Sequence, residues 1–530
     1  MNRVTGLRSE ECLMNLIDCV YRNARLYPDE TAFVEVRPVS KVKLRRSWKE
    51  FNEQTNRLAS ELIRRGIKKG DRVLLLGRNS MDWLVAYFGI AKTGAWVTPL
   101  NFRFTSEDIE FCANTAEPAA FLFDAEFMPV VEPIKDKLSS VKLYVSMGDE
   151  RLEGAEMMKG LIEGGSPDFI GTIPKDEDEI GLYFTSGTTG KPKPILLLHK
   201  NFFGTAVNEV TNLLLTKGDT LLQIPPLYHV AMGHLLGSML MAAKTVLLTE
   251  QVTAHSILDT IDQERLTRVF LLVPWGLDIL EALDKGAIKK EAYHLDQLRI
   301  IEMGAQPIPT SLVKRWKEYF PHMRFHNTYG LSETSGPGTI HCSDEGKIGA
   351  IGKPGLLWDG RIVDQNDNDV PAGGVGEILV KGMGVMKEYY RNPEMTAVTL
   401  RGGWLHTGDL GRVDEEGFFY LVDRKKDLVI SGGENIFPVE VEEVIQKHPK
   451  VRDVAVIGTP DARLGETVTA IIEPVAGETL TEEEMKRFCD ENLPRYKRPR
   501  RFIFGAVPRS STGKLEKPKL REKYGQSPSA

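Results

Sequence analysis

The stretch Tyr183 to Lys193 reads YFTSGTTGKPK, a concentration of groups that bind anions. Thr185, Ser186, Thr188 and Thr189 supply hydroxyls, and Lys191 and Lys193 supply ammonium groups. Gly187 and Gly190 let the backbone come close to a ligand. Backbone N–H groups, hydroxyls and ammonium groups converging on one point make an anion-binding concavity, and a polyphosphate is the simplest ligand. The loop is not a Walker A motif. That motif has four residues between its first glycine and the Gly-Lys pair, then Ser or Thr after the lysine. Here two residues separate Gly187 from Gly190, and Pro192 follows Lys191. Taken alone, a Ser/Thr/Gly run of this kind also reads as a polar surface loop.

Other chemical groups recur along the chain. His229 follows Pro225-Pro226 at the end of a predicted strand. Tyr329, Ser332 and Glu333 place a ring, a hydroxyl and a carboxylate within one predicted loop. A carboxylate beside a polyphosphate is a natural magnesium anchor, because Mg²⁺ is held by one or two carboxylates plus phosphate oxygens. Asp409 stands on a tight turn, Thr407-Gly408-Asp409, from which a carboxylate can accept from both hydroxyls of a ribose. Arg424 lies in the charged run Asp423 to Asp427, which reads as a linker, and Lys514 lies in a glycine-bearing loop near the end. Each of these, taken singly, also fits an ordinary turn or solvated face.

Those positions need elements to hold them. At 530 residues the chain exceeds one ordinary core and divides into several domain-sized units. Strand and helix patterns alternate through the first third: a helix over 46–65 closed by Gly66, a strand over 73–76, a helix over 82–91, a strand over 95–99, a helix opened by Thr105, and a strand over 119–123. This spacing predicts α/β layers with parallel strands. Further strands are expected at 221–224, 245–248, 268–273, 298–301 and 324–326, and a helix at 201–215. From about residue 348, frequent glycine and proline predict a smaller β-rich subdomain. Beyond the charged run a compact α+β unit is expected, with helices over 438–447 and 481–492 and strands over 451–457, 466–473 and 501–504.

Composition narrows the partners. Hydrophobic residues make up 42% and charged residues 27%, ordinary values for a soluble globular protein. A net charge of −6 gives no reason to expect nucleic-acid binding. The five cysteines (Cys12, Cys19, Cys112, Cys342, Cys489) form no Cys-x-x-Cys pair, so neither a zinc site nor a disulfide framework is indicated, and a reducing, cytoplasmic setting fits. No apolar run approaches the ~20 residues that span a bilayer, which leaves peripheral membrane contact open.

Seven motifs occur in order: TSGTTGKPK, PPLYH, NTYGLSET, GWLHTGD, DRKKD, SGGENIFPVEVE and PRSSTGK. Together they resemble the adenylate-forming superfamily, in its acyl-CoA synthetase branch. The resemblance implies a large N-terminal domain, here 1–425, and a small mobile C-terminal domain, 426–530. It implies two half-reactions: a carboxylate attacks the α-phosphate of ATP with Mg²⁺ bound, then coenzyme A displaces AMP from the acyl-adenylate. On this resemblance Thr185 to Lys193 would hold the β- and γ-phosphates. Gly304, Ala305 and Gln306 would line the adenine and acyl pocket. Asn327, Thr328, Tyr329 and Gly330 would meet the nucleotide, with Tyr329 stacked on adenine and Ser332 near the α-phosphate. Glu333 would bind magnesium, Asp409 and Arg424 the ribose. His229 would sit by the substrate carboxylate, and Lys514 would bridge carboxylate and α-phosphate. Lys426 matches the hinge, and Gly432-Gly433 the pantetheine channel.

The acyl pocket, expected from His229, Val230, Gly233, His234, Gly304 and Gly336, is largely apolar, which points to a fatty, aromatic or alicyclic acid. A homodimer is compatible with the resemblance. One departure from the family's pattern is Pro194, where glycine is usual. A stand-alone ligase loading a carrier protein and a non-catalytic nucleotide-binding regulator on the same fold are the alternative readings. The presence of Glu333, Asp409, Arg424 and Lys514 disfavours the latter.

Overall fold

The computed structural model describes residues 15–150, 152–168, 174–185, 192–229, 232–343, 346–461, 463–509 and 515–525. Two eight-stranded sheets dominate it. The first runs, in spatial order, Gly336–Cys342, Arg324–Leu331, Ile300–Gly304, Arg268–Leu271, Thr220–Gln223, Lys244–Leu248, Thr31–Arg37 and Val42–Ser47. The second runs Glu388–Tyr389, Lys193–Leu198, Glu179–Thr185, Trp96–Leu100, Arg72–Leu76, Ala120–Asp124, Leu143–Met147 and Glu156–Met157. Central pairs are parallel and the edges antiparallel, as in Arg324–Leu331 against Gly336–Cys342, except at Glu156–Met157, which pairs parallel with Leu143–Met147. The predicted parallel α/β layers are therefore present.

Four helices, Trp48–Arg64, Met81–Lys92, His199–Leu213 and Met232–Leu240, fill the space between the sheets and share one apolar core with both. Phe33 and Leu247 enter that core from the first sheet, Val73, Leu75 and Ile195 from the second. Helices Ala254–Gln263, Val273–Asp284 and Thr310–Tyr319 cover the outer face of the first sheet, where Val269, Leu271, Ile301 and Met303 meet them. Ser106–Ala116 covers the outer face of the second. Local signals set these helices. Ser47 and Glu50 form a capping box for Trp48–Arg64, and Thr105 with Asp108 does the same for Ser106–Ala116, satisfying N–H groups the helix leaves unpaired.

A third sheet (Trp358–Val363, Val375–Gly382, Leu405–Val413, Phe419–Arg424) is the predicted β-rich subdomain. The fourth (Glu434–Ile436, Val429–Ser431, Gly465–Pro474, Val451–Asp461, with Arg501–Phe504 beside Gly465–Pro474) has helices Pro438–Ile445 and Glu482–Asn492 on one face and Lys517–Tyr524 on the other. No helix among the described residues is long and apolar enough to cross a membrane.

Three expectations change. The strand predicted at 324–326 continues to Leu331, so Tyr329 stands on a strand rather than in a loop, and a 3₁₀ turn carries Ser332 to Thr334. Asp423 and Arg424 end the strand Phe419–Arg424, which shortens the predicted linker to a turn. Lys193–Leu198 is a strand paired on both sides, where the sequence passed directly from loop to helix.

The strand Arg324–Leu331 and its return Gly336–Cys342 approach closely at Gly330. A Cβ there would collide with the Gly336 carbonyl and lie 2.8 Å from Pro337 Cα. Backbone atoms cannot yield as a side chain does. Gly330→Ala is therefore expected to lose about 1–3 kcal/mol, the usual cost of overpacking, read as a lower urea midpoint.

Candidate active site

Thr185 and Lys193, at the two ends of the phosphate-type loop, face each other across an antiparallel strand hairpin. Ser186, Gly187, Thr188, Thr189, Gly190 and Lys191 lie outside the described residues, as do Val230 and Lys514. At the hairpin's exit Pro194 pairs with Phe184, and its carbonyl accepts from Tyr390 N at 2.9 Å. The missing N–H of Pro194 thus falls in a strand whose carbonyl side is used. The next residues, Ile195 and Leu196, pair with Tyr389 and Glu388.

Tyr389 joins this hairpin to Glu333. Its phenol donates to Glu333 Oε1 at 2.8 Å, while the Lys193 ammonium lies 5.6 Å from the centre of its ring. Burial and the Glu333 carboxylate raise the Tyr389 pKa, which keeps the phenol a donor. Glu333 is half-buried, and its Oε2 makes no hydrogen bond among the described residues. One oxygen fixed by a neutral donor and one left over is a donor set that suits Mg²⁺, which takes one or two carboxylates and otherwise keeps water or phosphate oxygens.

Tyr329, Asp409 and Arg424 come together from two sheets. Tyr329 Oη donates to Asp409 Oδ2 at 2.9 Å, and Arg424 Nε stands 3.3 Å from Asp409 Oδ1. Asp409 and Arg424 are cross-strand partners. Asp409 is buried within the strand Leu405–Val413 rather than on the tight turn expected; Gly408 takes a positive φ of 72° there, and Thr407 Oγ1 accepts from Asp409 N and donates to Ile378 O. Burial and then the Asp409 carboxylate push the Tyr329 phenol well above its ordinary range. Burial opposes the charge on Arg424, but Asp409 and Asp427 outweigh it and raise its pKa. The trio presents a ring beside a fixed, anionic carboxylate, a surface suited to a nucleoside.

Gly304 ends its strand beside Thr328, whose hydroxyl donates to Met303 O, and Asn327 Nδ2 holds Ala350 O at 2.9 Å. Ser332 is buried in the turn before Glu333. Ala305 and Ser335 adopt left-handed backbone (φ 66° and 53°), local strain of the kind found where a site fixes its geometry. Gln306 faces the C-terminal unit, where its Oε1 accepts from Arg509 Nη1 at 2.7 Å; Arg509 also grips Asp453 with two bonds of 2.7 Å. His229 is half-buried after a turn clamped by Asn79, whose Nδ2 donates to Ile224 O and Pro225 O while its Oδ1 accepts from Leu227 N. Gly432 and Gly433 form a two-residue hairpin turn, both with positive φ (61° and 86°), as such turns require. Lys426 is exposed on the turn after Arg424.

His234 does not stand alone in an apolar wall. It is buried, with Nδ1 2.6 Å from Glu209 Oε1 and 3.7 Å from Glu302 Oε2. Arg268 binds both carboxylates. Burial opposes charge on Glu209, yet Arg268 and then His234 hold its carboxyl below the usual range.

Sequence reasoning missed Tyr389, Asn79, Arg509 and this buried charge cluster. Arg268 within RVFLL and Glu302 within IIEMG, each a charge inside an apolar strand, were the signal available for the last.

At the turn between the third and fourth sheets, Asp423 accepts from Arg424 N and Val439 N, and burial raises its pKa to about 6. An unfolded Asp titrates near ~3.9. Between these values the native chain holds a proton that the unfolded chain releases, so this group's contribution to stability falls as pH rises from about 4 to about 6. Asp423→Asn should remove that slope, measured as the pH dependence of the urea midpoint over this window.

Residues 20–390 match the family model described as AMP-binding enzyme, and residues 440–514 match the AMP-binding enzyme C-terminal domain. The chain is 32% identical over 513 residues to the long-chain-fatty-acid–CoA ligase FadD13 of Mycobacterium tuberculosis, covering 95% of this chain and 97% of that protein. It is 33% identical over 505 residues to the 2-succinylbenzoate–CoA ligase of Bacillus cereus, covering 94% and 97%. The crystal structure of the anthranilate CoA ligase AuaEII in complex with anthranoyl-AMP superposes with a TM-score of 0.87 at 26% identity, covering 96% of this chain and 97% of that one.

Proposed function

Since the chain belongs to the AMP-binding enzyme family, we propose that it is an acyl-CoA synthetase activating a fatty or aromatic carboxylic acid in two steps. The acid's carboxylate displaces pyrophosphate from the α-phosphate of ATP, giving an acyl-adenylate. The thiol of coenzyme A then attacks the acyl carbon, and AMP leaves. A carboxylate would otherwise have to expel oxide; the mixed anhydride supplies AMP as a leaving group instead.

The observation that carries this reading is the meeting of Tyr329, Asp409 and Arg424 at the end of the strand that leads to Glu333, which Tyr389 ties to the hairpin bearing the phosphate-type loop. In it, Tyr329 stacks on adenine and Asp409, oriented by Tyr329 and Arg424, takes the ribose hydroxyls. The loop from Thr185 to Lys193 holds the outgoing phosphates. Glu333, held by Tyr389, anchors Mg²⁺, which when bound neutralises polyphosphate charge. Lys514 supplies positive charge where carboxylate and α-phosphate crowd together, and such preorganised charge is a large contributor to catalysis. The relatives' names span long-chain fatty acids and an aryl acid, 2-succinylbenzoate, and so support an acid with an apolar body.

We place the domain division at 425/426, within the turn after Arg424. The C-terminal unit rotates about Lys426 so that Lys514 serves the first step and Gly432-Gly433 the second.

The test is ATP–pyrophosphate exchange across fatty and aromatic acids, followed by thioester formation with free coenzyme A or with a carrier protein. Acylation of a carrier alone would refute the coenzyme A step. Lys514→Ala is expected to slow exchange by roughly 10²–10³ or more while leaving thioester formation from pre-made acyl-adenylate nearly intact. Equal loss in both steps contradicts the division of labour. Glu333→Gln should raise the Mg²⁺ concentration needed for half-maximal exchange, and an unchanged requirement would remove Glu333 from the metal site.

A further inference from the structure

Register places the buried charges relative to the proposed pocket. Arg268 pairs with Ile300, Phe270 with Glu302, and Gly304 lies two residues beyond Glu302 on the same strand. Paired residues of parallel strands, and residues two apart, share a face of the sheet. Val269, Leu271, Ile301 and Met303 face the outer helices, so Arg268, Phe270, Glu302 and Gly304 face the inner helix layer. Glu302 therefore stands one pleat, ~6.6 Å, below Gly304.

His234 reaches this row from the first turn of Met232–Leu240, with its ring 4.0 Å from that of Phe270. Its neighbour Gly233 packs against Ser335 and Gly336, where a Cβ would lie 3.2 Å from Ser335 O and 3.6 Å from Gly336 Cα. Gly237 leaves room for Glu209, whose Oε2 would be 2.8 Å from a Cβ there. The imidazole thus sits between the two glycine-bearing walls of the proposed acyl pocket, at its inner end.

Charge decides what the ring offers. Glu209, Glu302 and Arg268 have side chains with no exposed surface, and their charges sum to −1. A buried, uncompensated charge is strongly unfavourable. A proton on both nitrogens of His234 brings the sum to zero. A divalent cation among Glu209, Glu302 and a neutral His234 would bring it to +1 beside Arg268. The 2.6 Å between Nδ1 and Glu209 Oε1 is an ion-pair contact whose angles miss those of a hydrogen bond, so charge rather than a shared proton holds the two together. With Nδ1 turned to the carboxylates, Nε2 is the remaining donor. His234 is also the one member of the four whose side chain keeps open surface, 8%.

We infer that His234, charged and held by Glu209 and Glu302, is a specificity-determining residue that donates Nε2–H to a neutral oxygen on the body of the acyl group. The inference rests on the acyl-CoA synthetase reading and deepens it. The substrate class is an acid with an otherwise apolar body carrying an oxo, hydroxyl or ether oxygen away from the carboxyl. A second carboxylate is disfavoured, because the cluster is already neutral. A purely structural role explains the cluster less well, since well-packed apolar residues usually serve a core at least as well as buried ion pairs.

The test is pyrophosphate release by the full chain with straight-chain and aryl acids of graded length, each beside its oxo-, hydroxy- and carboxy-substituted counterpart. Expected is a kcat/KM higher by about tenfold or more for one oxo or hydroxy acid over its alkyl isostere, with no such gain for the dicarboxylate. His234→Leu should abolish or invert that preference, mainly through KM, and His234→Gln should restore part of it. Preference for the plain acid at every length in the wild type overturns the inference without any variant. So does an equal loss for both members of a pair in a folded His234→Leu, or one tightly bound metal ion per chain by elemental analysis. Failure of every acid to release pyrophosphate overturns the enzyme reading, and this inference with it.

Discussion

A helix layer shared by two sheets has little face left for water. Trp48–Arg64, Met81–Lys92, His199–Leu213 and Met232–Leu240 are apolar toward both neighbours, and nearly every residue of Met81–Lys92 is buried. Any charge in this layer must be answered by another group within it. Lys92 is met by Asn52, Thr55, Asn56 and the Tyr21 ring, and Arg268 by Glu209 and Glu302. The chemically open positions are driven to where strands end and the layer stops. Gly304 and Thr185 stand at such ends, and Tyr329 lies just before one.

Two of these ends come from different sheets, and short elements bind them. The two-residue strand Glu388–Tyr389 leaves the glycine-rich part of the chain to pair with Lys193–Leu198 in the second sheet. It then sends the Tyr389 phenol to Glu333, just beyond a strand of the first. The third sheet contributes Asp409 and Arg424, and the phenol of Tyr329 closes the gap. Positioning the site thus takes three sheets and only a few side-chain bonds.

Much of this was legible in the sequence because it is local. Gly66 closes its helix with φ 93°, Thr105 caps Ser106–Ala116 as its hydroxyl predicted, and the main strands lie within a few residues of the apolar runs that announced them. The residues of the nucleotide cluster could be named because each sits in a short motif of fixed order. What was not legible depends on partners far along the chain. PILLL reads as a buried run of either type until Glu388–Tyr389 pairs with it, some 190 residues later. Tyr389 lies next to another tyrosine, and nothing nearby says which one reaches Glu333. His234 was expected only as one residue of a largely apolar pocket, because its partners Glu209, Arg268 and Glu302 come from three other elements.

The contact between Arg509 and Gln306 has an asymmetry. Asp453, which holds Arg509 by two bonds, belongs to the same unit as the arginine, whereas Gln306 belongs to the other. When the units part, as the proposed rotation requires, Arg509 keeps its anion and gives up a neutral amide. Losing a hydrogen bond with one charged partner costs about 1.5–3 kcal/mol, and water can replace it. This latch is released without stranding a charge, so it can mark one arrangement of the two units without trapping them in it.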